Sequence, residues 1–423
     1  MSQPQRLSNR SLAAASSGNV LEWFDFTVYG FLAPIIGKAF FPADDPVAST
    51  LSAFAALAAG YLARPLGSVI FGHVGDRIGR KTALIVSVVM MGVASLAIAV
   101  LPTYQTIGLA APAILVLIRI IQGFAVSGEY TSSGVLVVEL APPGRQHTAG
   151  STIAFAMMIG CMIGSGVPAG VSAVLTEAQM ADWGWRIPFA FGALVALTSL
   201  VLRLGLMESL PDPDEDVKEL PVITVFRDHW RAVCRILILL APIMILYFVI
   251  FVYASSFLTA QMHDPSSTLL EFSTANLLVA ALLVPPIGWI ADKVGSRPVF
   301  FVGAVLMIVT AIPFWSMMQS ENLDVVFWGQ MGFSAINSAG WALSVSTLAT
   351  MLPAAVRCSG VSVAYNTGAA VFGGCTPLIL TYLFTRTGDD FLPAYYVLIT
   401  AILSLVVIIG MPNREREISA LKG

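Results

Sequence analysis

The sequence has 423 residues, of which 57% are hydrophobic and only 11% are charged, and its formal net charge at pH 7 is −3. Soluble domains carry about 25% charged residues, so this composition excludes a water-soluble enzyme and predicts a membrane protein. A net charge near zero without a basic tract also argues against a nucleic-acid partner.

Apolar stretches between charged or Pro/Gly-rich breaks predict twelve transmembrane helices, since about 20 apolar residues span a bilayer. The first is expected to be a retained helix and not a cleaved signal peptide, because its apolar run contains Glu22 and Asp25. The twelve are predicted at about 13–38, 49–72, 82–101, 108–138, 148–175, 186–205, 234–260, 270–291, 298–318, 324–352, 358–384 and 392–411.

The longest hydrophilic connection divides the chain in two. We therefore predict an all-α membrane protein with two pseudo-symmetric six-helix bundles, at 1–206 and 232–423, joined by a cytoplasmic linker at 207–231. Cytoplasmic loops hold the excess of Lys and Arg. With the amino terminus inside, the outer loops receive only Lys38, Arg186 and Arg386, so both termini are predicted to be cytoplasmic.

A loop motif occurs once in each half. The segment GHVGDRIGRK, which begins at Gly72, recurs 216 residues later as GWIADKVGSR, which begins at Gly288. Each copy joins the second and third helices of its half. Parallel repeats of this kind are typical of transporters in which two bundles move about a site near the membrane midplane.

This repeated motif resembles the loop signature of the major facilitator superfamily. Within it, GNVLEWFDF at 18–26, RP at 64–65, RIIQGF through GE at 119–129, and RCSG through YN and FGGCTP at 357–377 resemble the metabolite:proton symporter family. Residues 104–112 and 387–389 are most similar to its citrate and tricarballylate carriers. The resemblance implies the superfamily's twelve-helix fold, an inner-membrane location and proton-coupled symport.

Five charges away from the ends of the predicted helices are candidates for the membrane interior, all in the first half, and each costs at least about 2.5–3.5 kcal/mol at the bilayer centre. They are Glu22, Asp25, Arg64, Arg119 and Glu129. Asp25 and Arg119 lie about twelve and eleven residues into their helices, hence at similar depth. We expect protonation of Asp25 to free Arg119 for a substrate carboxylate; the alternative is a static ion pair between the two helices.

The other buried charges have two interpretations each. Glu22 is a second proton-coupling carboxylate or a packing partner, and Glu129 is a second proton stop or a gate or structural pair with an arginine. Arg64 either extends toward lipid headgroups or, by family resemblance, contacts the anion. The predicted proton-coupling residues are Asp25, Arg119, Glu22 and Glu129.

Helical spacing places further polar side chains on the same cavity. Tyr29 shares the face of Asp25, Gln122 and Tyr130 share the face of Arg119, and the second half has only neutral groups to offer. Asn337 and Asn366 are the strongest of these, with interhelical hydrogen bonding as the alternative. The predicted substrate-binding residues are Arg119, Gln122, Tyr29, Tyr130, Arg64, Asn337 and Asn366.

Charges of the two loop motifs, together with those that follow the fourth helix, are predicted to form a cytoplasmic gate whose pairing differs between inward-open and outward-open states. Solvated loop charge is the alternative. The predicted gate residues are Asp76, Arg77, Arg80, Glu139, Arg145, Asp292 and Arg297.

An anion that enters a negative cell works against about 2.3 kcal/mol per charge per 100 mV, which co-transported protons offset. We therefore predict a secondary transporter that imports a citrate-like di- or tricarboxylate by proton symport with alternating access. It is expected to be monomeric, with the lipid bilayer, the anion and protons as its partners, and without metal, cofactor or enzymatic activity.

Two alternatives remain. One is proton-coupled uptake of a zwitterion such as proline or betaine; the family's osmosensing members carry a long carboxyl-terminal coiled coil, whereas only about 12 residues follow the last predicted helix here. The other is a drug/proton antiporter. A receptor or membrane enzyme would need a nucleotide-binding loop, a zinc pair or a nucleophilic triad, and none is evident in the sequence.

Overall fold

A computed structural model describes residues 9–77, 80–204, 221–254, 257, 266–353 and 356–414, without the side chains of 9–17, 72–81, 83, 221–222 and 266–267. The described chain is helical and contains no strand. Twelve helical segments cross the bundle: α1 (Asn9–Phe31, continued by Ala33–Phe40), α2 (Pro46–Arg77), α3 (Arg80–Val100), α4 (Ala110–Val126 and Glu129–Glu139), α5 (Gln146–Val174), α6 (Arg186–Leu204), α7 (Trp230–Phe248, continued by Val249–Tyr253), α8 (Ser266–Val294), α9 (Ser296–Met318), α10 (Leu323–Thr350), α11 (Arg357–Gly368, Ala369–Gly374 and Cys375–Thr387) and α12 (Leu392–Ile409).

Hydropathy alone identifies fewer spans than there are crossing segments. Within the described residues, nine helices are long and apolar enough to cross a membrane, and the bent α1 makes a tenth. The apolar part of α3, Leu84–Val100, is shorter. α10 is long enough but buries Ser334, Asn337 and Ser338, whose polar side chains lower its mean hydropathy. The all-helical fold predicted from the sequence is confirmed.

Two predicted continuous helices are interrupted. α1 bends by 67° between Phe31 and Ala33, because Pro34 has no N–H to donate to the preceding turn. α4 is interrupted at Ser127 and Gly128, and the carbonyl of Ser127 is thereby released from the regular helical ladder. Both interruptions lie beside the buried charges.

The central connection contains a helix that was not predicted. Pro221–Asp228 forms two turns, and the buried Val225 on it faces α11, where a Cβ at Gly360 would lie 3.3 Å from the valine side chain. An apolar contact therefore holds this part of the connection against the second half.

The two six-helix halves touch along several helix pairs, among them α5 with α8, α2 with α11 and α4 with α10. Because the chain crosses twelve times, Asn9 and Arg414 lie at one end of the bundle, here called the terminal end. There, the Asp292 carboxylate accepts from the backbone N–H of His147 at 2.8 Å. At the opposite end, Ser165 Oγ lies 2.7 Å from Thr274 Oγ1. α5 and α8, one from each half, are thus in contact at two places along their lengths.

Glycines set the closest helix contact in the first half. A Cβ at Gly60 in α2 would lie 2.8 Å from the carbonyl oxygen of Arg119 in α4, and one at Gly123 would overlap the carbonyl of Gly60. Small residues permit such approaches between membrane helices. This contact fixes the turn of α4 that carries Arg119.

Replacement of Gly123 by alanine should therefore destabilise the bundle. Overpacking of a tight interior costs about 1–3 kcal/mol, so Gly123→Ala should lower the thermal unfolding temperature of the detergent-purified protein. Gly170→Ala is the matched control, because a Cβ there meets nothing within 4 Å. Equal unfolding temperatures for the two variants would contradict the close approach of α2 and α4.

Candidate functional site

The Asp25 carboxylate lies fully buried in α1 and accepts hydrogen bonds from three side chains. Ser95 of α3 donates to Oδ1. Arg119 Nη1 and Gln122 Nε2 of α4 donate to Oδ2, at 3.1 and 2.7 Å. Protonation of Asp25 would remove the negative charge that these donors share and would weaken the charge-assisted hydrogen bond from Arg119 in particular. The geometry thus brings together the pair expected from equal depth, and adds Ser95.

The hydrogen bonds and ring contacts described for Arg119 all come from the first half. Its Nη1 also donates to Gln122 Oε1 at 2.6 Å, and its guanidinium lies 4.5 Å from the ring centroid of Phe26 and 4.3 Å from that of Tyr29. The hydroxyl of Tyr29 donates to the carbonyl of Ala53 at 3.2 Å. Among the described residues, Arg119 Nε and Nη2 have no hydrogen-bond partner.

Arg64 forms the second buried pair, and it does not extend to headgroups as one interpretation proposed, since it is only 1% exposed. Its Nη2 donates to Glu22 Oε1, and its Nε donates to Asn366 Oδ1 of α11 at 3.0 Å. Glu22 Oε2 and Arg64 Nη1 have no hydrogen-bond partner among the described residues. This pair therefore leaves one acceptor and one donor available, and it reaches the second half.

The interruption of α4 explains how Asn366 is held. Its Nδ2 donates to the released carbonyl of Ser127 at 2.5 Å and to the carbonyl of Ser362 at 2.8 Å. The side chain thus links α2, α4 and α11. Asn366, expected to contact substrate, orients the Arg64 guanidinium across the interface of the halves.

The third buried pair is bidentate and is here called closed, because both carboxylate oxygens are satisfied and only Arg203 Nε has no hydrogen-bond partner among the described residues. Arg203 of α6 donates through Nη1 to Glu129 Oε2 at 3.1 Å and through Nη2 to Glu129 Oε1, and Nη1 also donates to the carbonyl of Leu84 at 2.8 Å. A side chain at Gly18 would overlap both charged groups, so α1 packs directly on the pair. Arg203 is not among the residues predicted for the site, although its side chain is 0% exposed.

Four aromatic rings meet at the centre of the interface, two from each half. Trp23 of α1 and Tyr130 of α4 face Tyr247 of α7 and Trp341 of α10. The centroid of Trp23 lies 5.6 Å from that of Tyr247 and 5.5 Å from that of Trp341, and the ring planes are nearly perpendicular. Each ring is at most 2% exposed. We call these four residues the aromatic cluster.

Hydrogen bonds at the ring edges orient the cluster. The Tyr247 hydroxyl donates to Cys161 Sγ at 3.0 Å, and the Tyr130 hydroxyl lies 2.9 Å from Ser344 Oγ. The amide of Asn337, oriented so that both its groups are satisfied, donates to the carbonyl of Ile243 at 3.1 Å and accepts from Trp341 Nε1 at 3.3 Å. The amide of Asn337, another expected substrate contact, is therefore used within the second half.

Tyr365 joins the aromatic cluster to the Arg64 pair. Its ring stacks on Tyr130, with centroids 4.7 Å apart and planes 20° apart. Its buried hydroxyl has no hydrogen-bond partner among the described residues, and it interacts electrostatically with Arg64 and Glu22. A donor from the second half thus lies close to the open pair of the first.

The predicted gate is only partly described. Glu139 accepts from Arg357 Nη1 of α11 at 2.9 Å, a partner outside the predicted set. Asp292 caps the start of α5 through the N–H groups of His147 and Thr148 and the Thr148 hydroxyl. Arg145 and Arg297 are exposed, and the side chains of Asp76, Arg77 and Arg80 lie outside the described residues.

Several site residues had no clear signal in the sequence. Ser95, Trp23 and Cys161 were not singled out, since isolated serine, tryptophan and cysteine are common in apolar helices. Arg203 carried a signal, because it lies inside the last turn of a predicted helix. Within the described residues, no group of three or more His, Cys, Asp or Glu side chains is arranged to hold a metal ion.

Comparisons with known proteins are consistent across the chain. The model of the Major Facilitator Superfamily matches residues 15–273 and 243–422. The proline/betaine transporter of Escherichia coli K12 is 32% identical over 427 residues, which cover 98% of this chain and 85% of that protein. The shikimate transporter of the same strain is 32% identical and covers 97% of this chain and 95% of that protein.

Among solved structures, the proton:xylose symporter XylE bound to 6-bromo-6-deoxy-D-glucose is similar in fold. Its TM-score is 0.76 at 15% sequence identity, with 97% of this chain and 98% of that chain covered. At this identity, the similarity concerns the fold alone.

The closed geometry of Glu129 and Arg203 predicts a non-additive effect on stability. Glu129→Gln or Arg203→Gln alone leaves a buried charge without its partner, which costs about 3–5 kcal/mol, whereas the double variant should recover more than half of the loss. Thermal unfolding of the purified variants measures this. The control is Asp228→Asn, since Asp228 and Arg227 form an exposed pair that contributes little.

Uptake measurements distinguish the two interpretations of Glu129. If Glu129 and Arg203 form a structural pair, the double variant should retain proton-driven uptake. A stable double variant without accumulation would instead make Glu129 a proton stop.

Proposed function

The chain belongs to the major facilitator superfamily, and on that premise we propose that it imports a small zwitterion, with proline and betaine as reference substrates, together with protons. It is a secondary transporter with many membrane-spanning helices. Within the superfamily, we assign it to the metabolite:proton symporters, on the motifs in its first, fourth and eleventh helices.

One observation carries the choice of substrate, namely the open ion pair of Glu22 and Arg64. Arg64 Nη1 is a buried donor and Glu22 Oε2 a buried acceptor, each without a described partner. A buried unsatisfied group costs about 1–3 kcal/mol, and more when it is charged. A zwitterion offers both complements, because its carboxylate accepts from Arg64 and its ammonium group lies favourably beside Glu22.

Charge balance argues against a di- or tricarboxylate. Four arginines are buried in the described spans, Arg64, Arg119, Arg203 and Arg357, and each faces a carboxylate, so they provide no surplus positive charge. A trivalent anion would bring three negative charges into this neutral interior at a large desolvation cost. A zwitterion leaves the balance unchanged.

The relatives support the same choice. The proline/betaine transporter matches this chain over nearly its whole length, which favours the zwitterion alternative over the citrate-like main prediction. The shikimate transporter matches it almost as well. Proline, betaine and shikimate each carry a single carboxylate, which suits the Nη1 donor of Arg64 at the interface of the halves, and a singly charged organic acid is therefore the second candidate.

Asp25 is the proposed proton site. Its three donors come from α3 and α4, and a protonated carboxyl group accepts less strongly from Arg119. Protonation therefore loosens the contact between α1 and α4, which is the coupling step. Arg119, first expected to bind the substrate, is assigned to this proton site because its described polar partners all belong to the first half.

We further propose that the terminal end faces the cytoplasm, on the distribution of Lys and Arg. In that orientation, a neutral zwitterion and one proton carry net positive charge inward. A negative cell interior favours this by about 2.3 kcal/mol per charge per 100 mV. The proton is thus the source of accumulation.

A competition panel tests the substrate class. Uptake of labelled proline into proteoliposomes with an acidic exterior should be inhibited by excess betaine but not by equimolar citrate, because only the zwitterion matches the neutral site. Collapse of the proton gradient with an uncoupler should abolish accumulation. Inhibition by citrate equal to that by betaine would reinstate the citrate-like prediction, and inhibition by shikimate alone would favour the second candidate.

Asp25→Asn should abolish accumulation driven by the proton gradient and retain counterflow exchange, because the amide resembles the protonated acid. Labelled proline in energised and in substrate-preloaded vesicles measures the two modes. Asp44→Asn, at an exposed loop position, is the matched control and should behave as the wild type. Undiminished accumulation by Asp25→Asn would remove this residue from the coupling role.

A further inference from the structure

We propose that the aromatic cluster is the binding site for the cationic group of the substrate and favours methylated ammonium over an uncharged group of the same shape. This deepens the proposed function, on which it rests only in requiring a substrate that carries both a cation and a carboxylate. The first support is position, because the four rings occupy the interface between the halves, adjacent to the open pair.

The chemistry of a quaternary ammonium group points to these rings. Such a group has no N–H, so it cannot donate a hydrogen bond to Glu22, and away from water it is stabilised by carboxylate charge and by the electron-rich faces of aromatic rings. Tyr365, which stacks on Tyr130, interacts electrostatically with Glu22 and Arg64. Glu22 also interacts electrostatically with Tyr130. The carboxylate therefore lies near the aromatic cluster.

Edge-to-face contacts join the rings of the cluster, and one face of Tyr130 is covered by Tyr365. Hydrogen bonds also fix three of the ring edges. The hydroxyl of Tyr247 is engaged by Cys161, that of Tyr130 lies beside Ser344, and Trp341 Nε1 donates to Asn337. These polar contacts satisfy groups that would otherwise be buried without a partner. They keep the rings approximately perpendicular to one another, as the walls of a box are.

The aromatic cluster, here also called the aromatic box, must open to admit the cation. In this structure, the centroids of Tyr130 and Trp341 are 6.4 Å apart and those of Tyr247 and Trp341 are 6.0 Å apart, which is ring contact. A bound cation lies within about 6 Å of each ring centroid, so rings in direct contact must separate to admit one between them. Because each half contributes two rings, separation of the halves on one side widens the box, and its closure around the cation brings the halves together again.

The protein also offers hydrogen-bond donors for the carboxylate of the substrate. Arg64 Nη1, Trp23 Nε1 and the Tyr365 hydroxyl are buried and have no hydrogen-bond partner among the described residues. Tyr365 stacks on Tyr130, so the donors adjoin the box. A short zwitterion with one carbon between its charged groups would contact both parts at once.

The test compares betaine with 3,3-dimethylbutyrate, which keeps the carboxylate and replaces the charged nitrogen with carbon. Calorimetric titration of the purified protein should show betaine binding about 30-fold more tightly, as expected for a desolvated cation–π interaction. Trp341→Leu should remove most of this preference, and Trp341→Phe should retain part of it. Trp185→Leu is the matched control, because Trp185 is equally buried but packs against Phe40 and Phe189.

If Trp341→Leu fails to fold, fluorinated tryptophans at position 341 replace it, since they keep the ring volume. Betaine affinity should then fall stepwise with each added fluorine while that of the isostere stays constant. Equal affinity of the wild type for the two ligands, no binding of either, or a flat fluorine series would overturn the proposal.

Proton-driven uptake of proline, measured in parallel, distinguishes this proposal from the proposed function. Uptake that persists without a preference for betaine would refute the aromatic box alone. Preferential binding of betaine without any proton-driven uptake would support the box and refute symport.

Discussion

A guanidinium buried among apolar helices must have a carboxylate within hydrogen-bond reach, and this constraint arranges the first half of the protein. Arg64, Arg119 and Arg203 each face one carboxylate, but the pairs differ in how many of their atoms are satisfied. Arg203 and Glu129 form a bidentate contact that also engages a backbone carbonyl. Such a closed pair suits a fixed packing element, because any movement would expose unpaired charge at low dielectric.

The other two pairs are incomplete, and their surroundings suggest different uses. Asp25 is contacted by donors from α3 and α4 of its own half, which suits a group whose protonation changes packing within that half. Arg64 and Glu22 border the second half and retain one donor and one acceptor. A ligand that completes this pair also engages the side where α11 approaches, so binding and closure are linked through the same atoms.

The second half contributes shape and aromatic surface, and its described spans hold no buried charge at their centres. Its asparagines orient neighbours, Asn366 toward Arg64 and Asn337 toward Trp341. The division is consistent with a mechanism in which protons act on the first bundle and the substrate bridges the two. The interruption of α4 at Ser127 provides the backbone carbonyl on which Asn366 depends.

Much of the site was predictable because depth in a membrane helix follows from residue count. Asp25 and Arg119 were placed at equal depth from their positions in two helices, and they are in contact. The identity of other partners was not predictable, since rotation about each helix axis and the order of helices around the bundle are decided by packing. Glu22 was therefore paired with no particular arginine, and Arg203 was not predicted as the partner of Glu129.

By itself, the sequence determined that the chain is a helical membrane protein in two similar halves, because hydrophobic length and the repeated loop motif are properties of the chain order. It also located the buried charges, whose cost marks them wherever they occur. Only the tertiary structure decided which charges are satisfied and which remain open, where α1 and α4 break, and that rings from both halves meet. Those features depend on contacts between residues far apart in the chain, which helical periodicity does not specify.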